Sequence, residues 1–155
     1  MTLDDLRRGL RHSETIRVGE ALAVPAQGRA LGFAQEMPAV FATANMIALI
    51  EWTCVAALAP YLAPGQRTVG TRVDISHLAA TPIGMAVTAE VELLEIDGSR
   101  LRFKANCRDE RETIGGGFHE RMIIDDARFT ARLARKQPPA SGGGLGRHGG
   151  LRGSC

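Results

Sequence analysis

The stretch MIALIEWTCVAAL, residues 46–58, is almost free of polar side chains apart from Glu51. A helix that is apolar all round is typical of a buried helix. A carboxylate inside such a helix must be paired, hydrogen-bonded or neutralised by a raised pKa. We therefore expect Glu51 to have a structural or chemical use.

The segments around this stretch predict one helix followed by several strands. The helix is predicted over 41–62, because Pro60 and the turn Ala63-Pro64-Gly65 end it. A first strand is predicted over 14–24, and a loop with several Pro and Gly residues separates it from the helix. Downstream we predict strands over 68–77, 85–97, 100–108 and 112–125, and a closing helix over 127–136.

Alternation and turn residues support these strands. Leu101, Phe103, Ala105 and Cys107 alternate with polar residues, and Asp97-Gly98 is a strong hairpin signal. The helix is too apolar to lie outside, so the sheet must curl around it. The sequence thus predicts an α+β fold in which a curled antiparallel sheet wraps one long buried helix.

The chain divides into three predicted parts. Residues 1–13 form a polar extension, in which the spacing of Leu3, Leu6 and Leu10 allows a short docking helix. Residues 14–136 form one domain. Residues 137–155 are rich in Gly and Pro and are predicted to be disordered.

Composition narrows the possible partners. Outside the tail, which holds Arg147 and Arg152, the chain carries 17 basic and 17 acidic residues, so nothing attracts nucleic acid or an anionic membrane surface. The longest apolar stretch falls short of the ~20 residues that cross a bilayer. Three cysteines without metal-ligand spacing indicate a reducing compartment. We expect a cytoplasmic protein that contacts neither membrane nor nucleic acid.

Three polar residues are candidates for chemistry. Thr43 begins the helix, Glu51 follows about two turns later and ~80° around the axis, and His77 ends an inward-facing strand. An alcohol, a carboxylate and an imidazole within reach of one another can run acyl transfer. The alternatives stay open at this point: Thr43 as a helix cap, Glu51 bonded to a loop or a partner subunit, and His77 as a core residue.

Five blocks of the sequence stand out in combination: Val40–Trp52, Pro60–Gly65, Gly70-Thr71, His77-Leu78-Ala79-Ala80-Thr81-Pro82-Ile83-Gly84 and Gly115–Arg121. Together they resemble hot-dog-fold thioesterases of the fluoroacetyl-CoA thioesterase type. The resemblance spans roughly residues 14–136.

The resemblance implies an acyl-CoA thioesterase that acts on a short or small substituted acyl group. It places Thr43, Glu51 and His77 at the catalytic positions, with His77 as general acid/base and Glu51 as nucleophile or activator of water. The backbone at Gly70 would hold the thioester oxygen, and Arg121 would lie near the CoA arm. It also implies a homodimer or a dimer of such dimers, no metal, and no cofactor beyond the CoA of the substrate.

The loop before the helix departs from the family pattern. Members specialised for fluoroacetyl-CoA carry two phenylalanines there as a lid. Aligned back from Pro38 without a gap, the same positions hold Ala34 and Met37. Phe33 reaches one of these positions only if the alignment is shifted by one residue. We assign Phe33 and Met37 to substrate binding, and the acyl group is left open.

Two other functions are compatible with the fold. A hot-dog enoyl-CoA hydratase or dehydratase also pairs a carboxylate with a histidine, although the chain has no Asp-x-Asn-Pro-x-His segment. A non-catalytic acyl-CoA-binding module would have little use for an acid in an apolar helix.

Overall fold

A computed structural model describes residues 1–138. The regular elements run in the order β1 (Arg11–Arg17), α1 (Val24–Ala30), α2 (Thr43–Leu58), β2 (Gln66–His77), β3 (Ala86–Asp97), β4 (Arg100–Asp109), β5 (Thr113–Asp125) and α3 (Asp126–Ala134). The predicted disorder of the tail falls almost entirely on residues outside the described part.

The five strands form one antiparallel sheet in the order β1-β3-β4-β5-β2. The predicted α+β class is confirmed. Strands β3, β4 and β5 pair in succession, whereas β2 pairs with β5 and lies at the far edge from β1. Thus β2 and β3 follow each other in the chain without being neighbours in the sheet, which the predicted run of four strands did not show.

Helix α2 lies against the sheet and contacts β1, β2, β3 and β4. Its buried face carries Met46, Leu49, Ile50, Thr53, Cys54, Ala57 and Leu58. The prediction that the helix is buried on all sides is wrong for a single chain, because Trp52 is 69% exposed. Five strands cover one side of a helix and leave the other side open.

Together with the 3-10 turn Ala59–Tyr61 that follows it, helix α2 has the length and composition of a membrane-crossing helix, contrary to the sequence estimate. The segment Thr43–Tyr61 has 19 residues and a mean hydropathy of 1.3. The core helix of a soluble protein passes the same test, and here the buried face packs on the sheet.

The segment before α2 differs most from its prediction. Strand β1 begins at Arg11 and ends at Arg17, earlier than predicted, and a helix over Val24–Ala30 occupies part of the predicted loop. Pro25 fits the first turn of this helix, where no backbone N–H is needed. Leu6 is buried in the core, and one 3-10 turn over Leu3–Asp5 replaces the docking helix.

Period-two alternation predicts that Val69, Thr71, Val73, Ile75 and His77 share the inner face of β2. A β-bulge reverses this facing in the first half of the strand. The register with β5 shifts between Gly70 and Arg72. Before the bulge, Thr68 and Gly70 face α2, and Val69 therefore faces away. Beyond the bulge, Ile75 and His77 are on the inner side, as predicted.

The run Gly115-Gly116-Gly117 in β5 predicts a bulge or a close backbone approach, and the structure shows the close approach. A Cβ at Gly115 would be 2.1 Å from the Ser76 carbonyl oxygen, and one at Gly117 would be 2.0 Å from that of Asp74. Only a residue without a side chain fits at these positions. Strand β5 can therefore lie tightly against β2, which brings the functional side chains of both strands to α2.

Candidate functional site

The first polar contact joins the beginning of α2 to the end of β2. Thr43 Oγ1 lies 2.8 Å from His77 Nδ1. Thr43 is the first residue of the helix, and Ala42 holds the capping position without a side-chain hydrogen bond. The cap interpretation of Thr43 is therefore wrong, and its hydroxyl is engaged with the imidazole.

The second nitrogen of His77, Nε2, is a buried polar atom. His77 Nε2 makes no hydrogen bond within residues 1–138, and the Phe41 ring packs edge-on at 6.5 Å between centroids. A buried polar atom of this kind is costly and marks a strained or functional position. One imidazole nitrogen is thus positioned by Thr43, and the other makes no hydrogen bond to the described residues.

Glu51 lies in the middle of α2 and is paired with a cation, as one sequence alternative required. Its Oε1 is 3.6 Å from Arg121 Nη1, and its side chain is 39% exposed. The expectation of full burial is wrong, because Glu51 lies at the border between the covered and the open side of α2. A carboxylate in this position can meet both an internal cation and an external ligand.

Arg121 is buried and makes two hydrogen bonds to Thr68 of β2. Its Nε donates to Thr68 Oγ1 at 3.0 Å, and its Nη2 donates to the Thr68 carbonyl at 2.9 Å. Burial lowers the pKa of this guanidinium, and the nearby Glu51 opposes that shift. The structure therefore presents a fixed internal cation to Glu51.

His119 is a member of this cluster that the sequence reasoning missed. Its Nδ1 is 2.8 Å from the Arg72 carbonyl oxygen, and its Nε2 is 3.1 Å from Arg121 Nη1. Burial is the main cause that lowers its pKa, against the raising effect of the hydrogen bond to Arg72. The available signal was strand parity, because His119 shares a face with Arg121 two residues later.

Gly70 faces this cluster and leaves it room. A Cβ at Gly70 would be 2.4 Å from Glu51 Oε1 and 3.1 Å from His119 Cε1. Any side chain would displace the carboxylate or the imidazole. The predicted contact of the Gly70 backbone with a thioester oxygen stays a prediction.

A cleft of about 760 Å³ opens at Glu51. Its lining consists of Glu51, Trp52, Val55, Ala59, Leu62, Ala63, Pro64, Gln66, Arg67, Thr68 and Arg121. Phe33 and Met37 are exposed and border a different hollow, of about 560 Å³, with Pro25 and Arg29. Within residues 1–138, no group of three or more His, Cys, Asp or Glu is placed to hold a metal ion.

The structure brings together two of the three predicted catalytic residues. Thr43 and His77 form a pair, whereas Glu51 belongs to the cluster with His119 and Arg121. In the described part of the chain, no hydrogen bond or ion pair joins Glu51 to Thr43 or His77. Glu51 lies eight positions after Thr43 in the helix, or ~12 Å of rise, so one chain does not bring the two groups to the same bond.

Comparisons with known proteins give a consistent relationship. Residues 24–127 match the family model described as fluoroacetyl-CoA-specific thioesterase. A fluoroacetyl-CoA thioesterase of Streptantibioticus cattleyicolor is 45% identical over 103 residues, which cover 66% of this chain and 74% of that protein.

Solved structures extend this likeness to the fold. The fluoroacetyl-CoA thioesterase FlK superposes with a TM-score of 0.83 at 40% identity, covering 87% of this chain and 100% of that one. A hot-dog-like protein from Thermanaerovibrio acidaminovorans, at 20% identity, has a TM-score of 0.73 and covers 86% of this chain and 94% of its own. The predicted hot-dog fold is confirmed.

Proposed function

The chain belongs to the fluoroacetyl-CoA-specific thioesterase family and is an acyl-CoA thioesterase, and we propose that it hydrolyses a small acyl thioester in the cleft at Glu51. The observation that carries this placement is the Glu51 carboxylate itself. It lines the cleft and is 3.6 Å from a buried arginine. The family relationship favours hydrolysis over hydration of an enoyl-CoA.

In the proposed mechanism, Glu51 supplies the oxygen that attacks the thioester carbon, either its own or that of a water molecule it activates. With direct attack, a C–O bond forms, the C–S bond breaks, and water later hydrolyses the resulting anhydride. The Arg121 guanidinium holds the carboxylate by charge. Anchoring by Thr68 keeps that cation in place during the reaction.

His77 is the proposed general acid/base, and we infer that it reaches the thioester from a second copy of the chain, because within the described residues of one chain no contact brings it to Glu51. Its Nδ1 is occupied by Thr43, so Nε2 is the atom that can give a proton to the leaving CoA sulfur or take one from water. Thr43 orients the imidazole in this scheme. The backbone at Gly70 is the proposed holder of the thioester oxygen.

The cleft supports a substrate made of a small acyl group on a long thiol arm. Its volume, about 760 Å³, lies in the range of small-molecule sites. We place the pantetheine arm of CoA along it, with Arg121 at its inner wall. The loop with Phe33 and Met37 is the proposed selector of the acyl group, because the phenylalanine pair of fluoroacetyl-specific relatives is not in place there.

A homodimer is the proposed assembly, alone or as a pair of dimers. Trp52 on the open side of α2 is 69% exposed, and Val73 on the edge strand β2 is 46% exposed. A second copy would cover such apolar residues and pair the free strand edge. The two buried free thiols, Cys54 and Cys107, support a reducing cytoplasm as its location.

The central test is hydrolysis by Glu51→Gln, which keeps the size of the side chain and removes its charge. Free CoA thiol is measured with acetyl-CoA, fluoroacetyl-CoA and longer acyl-CoAs. We expect kcat to fall by about 10²–10⁴-fold. Glu90→Gln, an exposed position on β3, is the matched control and should keep full activity. Near-normal turnover by Glu51→Gln would remove the carboxylate from the mechanism.

A further inference from the structure

We propose that His119 is a positioning residue that acts through Arg121: held as the Nδ1-protonated neutral imidazole, it fixes the guanidinium that faces Glu51. This inference rests on the proposed role of Glu51. The residues concerned lie on two strands, β2 and β5, and on helix α2. The contacts form a series from Arg72 through His119 and Arg121 to Glu51, and each one constrains the next.

The contact with Arg72 determines which nitrogen of His119 carries the proton. A carbonyl oxygen only accepts hydrogen bonds, so His119 Nδ1, at 2.8 Å from the Arg72 oxygen, must be the donor. In a neutral imidazole the other nitrogen then has a free lone pair. His119 Nε2 is consequently an acceptor.

The contact with Arg121 requires the same tautomer. A guanidinium only donates, and its Nη1 is 3.1 Å from His119 Nε2. The separation between Glu51 Oε1 and His119 Nε2 is 3.7 Å, which is too long for a hydrogen bond. Arg121 is at a similar distance from Glu51 but carries a charge, whereas a neutral imidazole does not. His119 therefore acts on Glu51 through Arg121 and not directly.

The hydrogen bonds of Arg121 leave it little freedom. Nε and Nη2 donate to the hydroxyl and the carbonyl of Thr68, and Nη1 donates to His119. Nη1 also faces Glu51 Oε1 at 3.6 Å, where the guanidinium attracts the carboxylate as an ion pair and not through a hydrogen bond. Without the acceptor on His119, Nη1 would lose the contact that sets its direction.

The surroundings of His119 keep it neutral. The groups that face it are Glu51 from α2, Arg121 and Glu120 from β5, and the Arg72 carbonyl from β2, and Cys54 from α2 faces Arg121. A second proton would turn Nε2 into a donor against a guanidinium. Burial and Arg121 both lower the pKa of His119, in agreement with this geometry.

Two amide variants test the two ring nitrogens of His119 separately. In His119→Gln, the longer side chain can place an oxygen near the position of Nε2 and accept from Arg121. In His119→Asn, the shorter amide can donate to Arg72 but leaves Arg121 Nη1 without an acceptor. Both replace the ring by a neutral amide, so each controls for the loss of the ring.

The kinetic test compares kcat and KM of both variants for acetyl-CoA, with urea unfolding as a check of the fold. We expect His119→Asn to lower kcat about tenfold at nearly constant KM, and His119→Gln to stay within about threefold of the unmodified protein. Equal kcat values in the two variants would overturn the proposal. Such a result beside a large Glu51→Gln effect would count against this inference alone, and loss of the Glu51→Gln effect would count against the proposed function.

A spectroscopic test reads the protonated nitrogen of His119 in the unmodified protein. Nitrogen-15 NMR of the protein labelled at histidine reports which ring nitrogen carries the proton, and His119→Gln identifies the resonances of His119. We expect a protonated Nδ1 and an unprotonated Nε2 at pH 7. A protonated Nε2 would overturn the proposal whatever the kinetics of the variants.

Discussion

Two histidines on neighbouring strands, His77 and His119, use their rings in opposite ways. His119 has a partner at each nitrogen, the Arg72 carbonyl at 2.8 Å and Arg121 at 3.1 Å. His77 has Thr43 at one nitrogen and no hydrogen-bond partner at the other within residues 1–138. Both rings approach the same helix.

The difference shows how the number of hydrogen-bonded ring nitrogens determines what a buried imidazole can do. A ring with both nitrogens committed cannot exchange protons without breaking a contact, so it is suited to hold a neighbour in place. A ring with one nitrogen unused can exchange a proton at low structural cost. We therefore expect substitutions at the two positions to differ in size and in kind.

The largest effect is expected for His77→Ala. It removes the unpartnered nitrogen, and kcat for acyl-CoA hydrolysis should fall by about 10²–10⁴-fold. The measurement is release of free CoA thiol. His12→Ala, a change of a partly exposed histidine on β1 paired with Glu14, serves as the control and should be neutral. A loss for His77→Ala no larger than that for His119→Asn would break the distinction between the two rings.

A smaller but clear effect is expected for Gly70→Ala. The new Cβ would be 2.4 Å from Glu51 Oε1, so the carboxylate must move away from Arg121. We expect kcat to fall by roughly 10–100-fold, since displacements near 1 Å have such consequences. Gly19→Ala, where a Cβ meets open space, is the matched control. Equal activity of the two variants would show that the position of Glu51 is not critical.

Thr43→Ala sharpens the interpretation of His77 and should cost less than Glu51→Gln. It removes the hydrogen bond at Nδ1 but leaves the imidazole in place, so a loss of about tenfold in kcat is expected. Thr43→Ser keeps the hydroxyl and should restore most of the activity. A loss for Thr43→Ala that exceeds the loss for Glu51→Gln would instead favour Thr43 as the nucleophile.

The smallest effect concerns stability and pH. Burial lowers the pKa of His119 below its usual 6.5, so the unfolded chain binds the proton first as the pH falls. The contribution of the neutral His119 to the free energy of unfolding is therefore fully present above pH ~6.5. It declines as the pH falls toward the folded pKa. His119→Gln should therefore lose less free energy of unfolding between pH 7.5 and 5 than the unmodified protein, as measured by urea titration. An identical decline in both proteins would contradict this origin.

The fold was largely predictable because its periodicities are simple. The apolar run predicted α2, and alternation predicted β3 and β4 to within about one residue. Prediction failed where one residue changes the pattern. The bulge after Gly70 reversed the facing of the first half of β2, and the helix at Val24–Ala30 was hidden by Pro25 and Gly28.

The sequence predicted which residues belong to the site better than it predicted which of them are in contact. Glu51 attracted attention because its polarity conflicts with its surroundings, and it proved to be paired. His119 gave no such signal, because a histidine in a strand is unremarkable until its neighbours are known. Its partners, Arg72 and Arg121, lie on two strands whose pairing the sequence pattern did not predict.

The pairing of β2 with β5 also sets an order of events during synthesis. On a ribosome, β3 and β4 can form a hairpin as soon as both have emerged, since only Gly98 and Ser99 separate them. Strand β2 emerges earlier but has no neighbour until residues 113–125 follow, and such distant pairings form slowly. Because His119 and Arg121 arrive with β5, a nascent chain carries Glu51 without its cation until the last strand of the sheet is made.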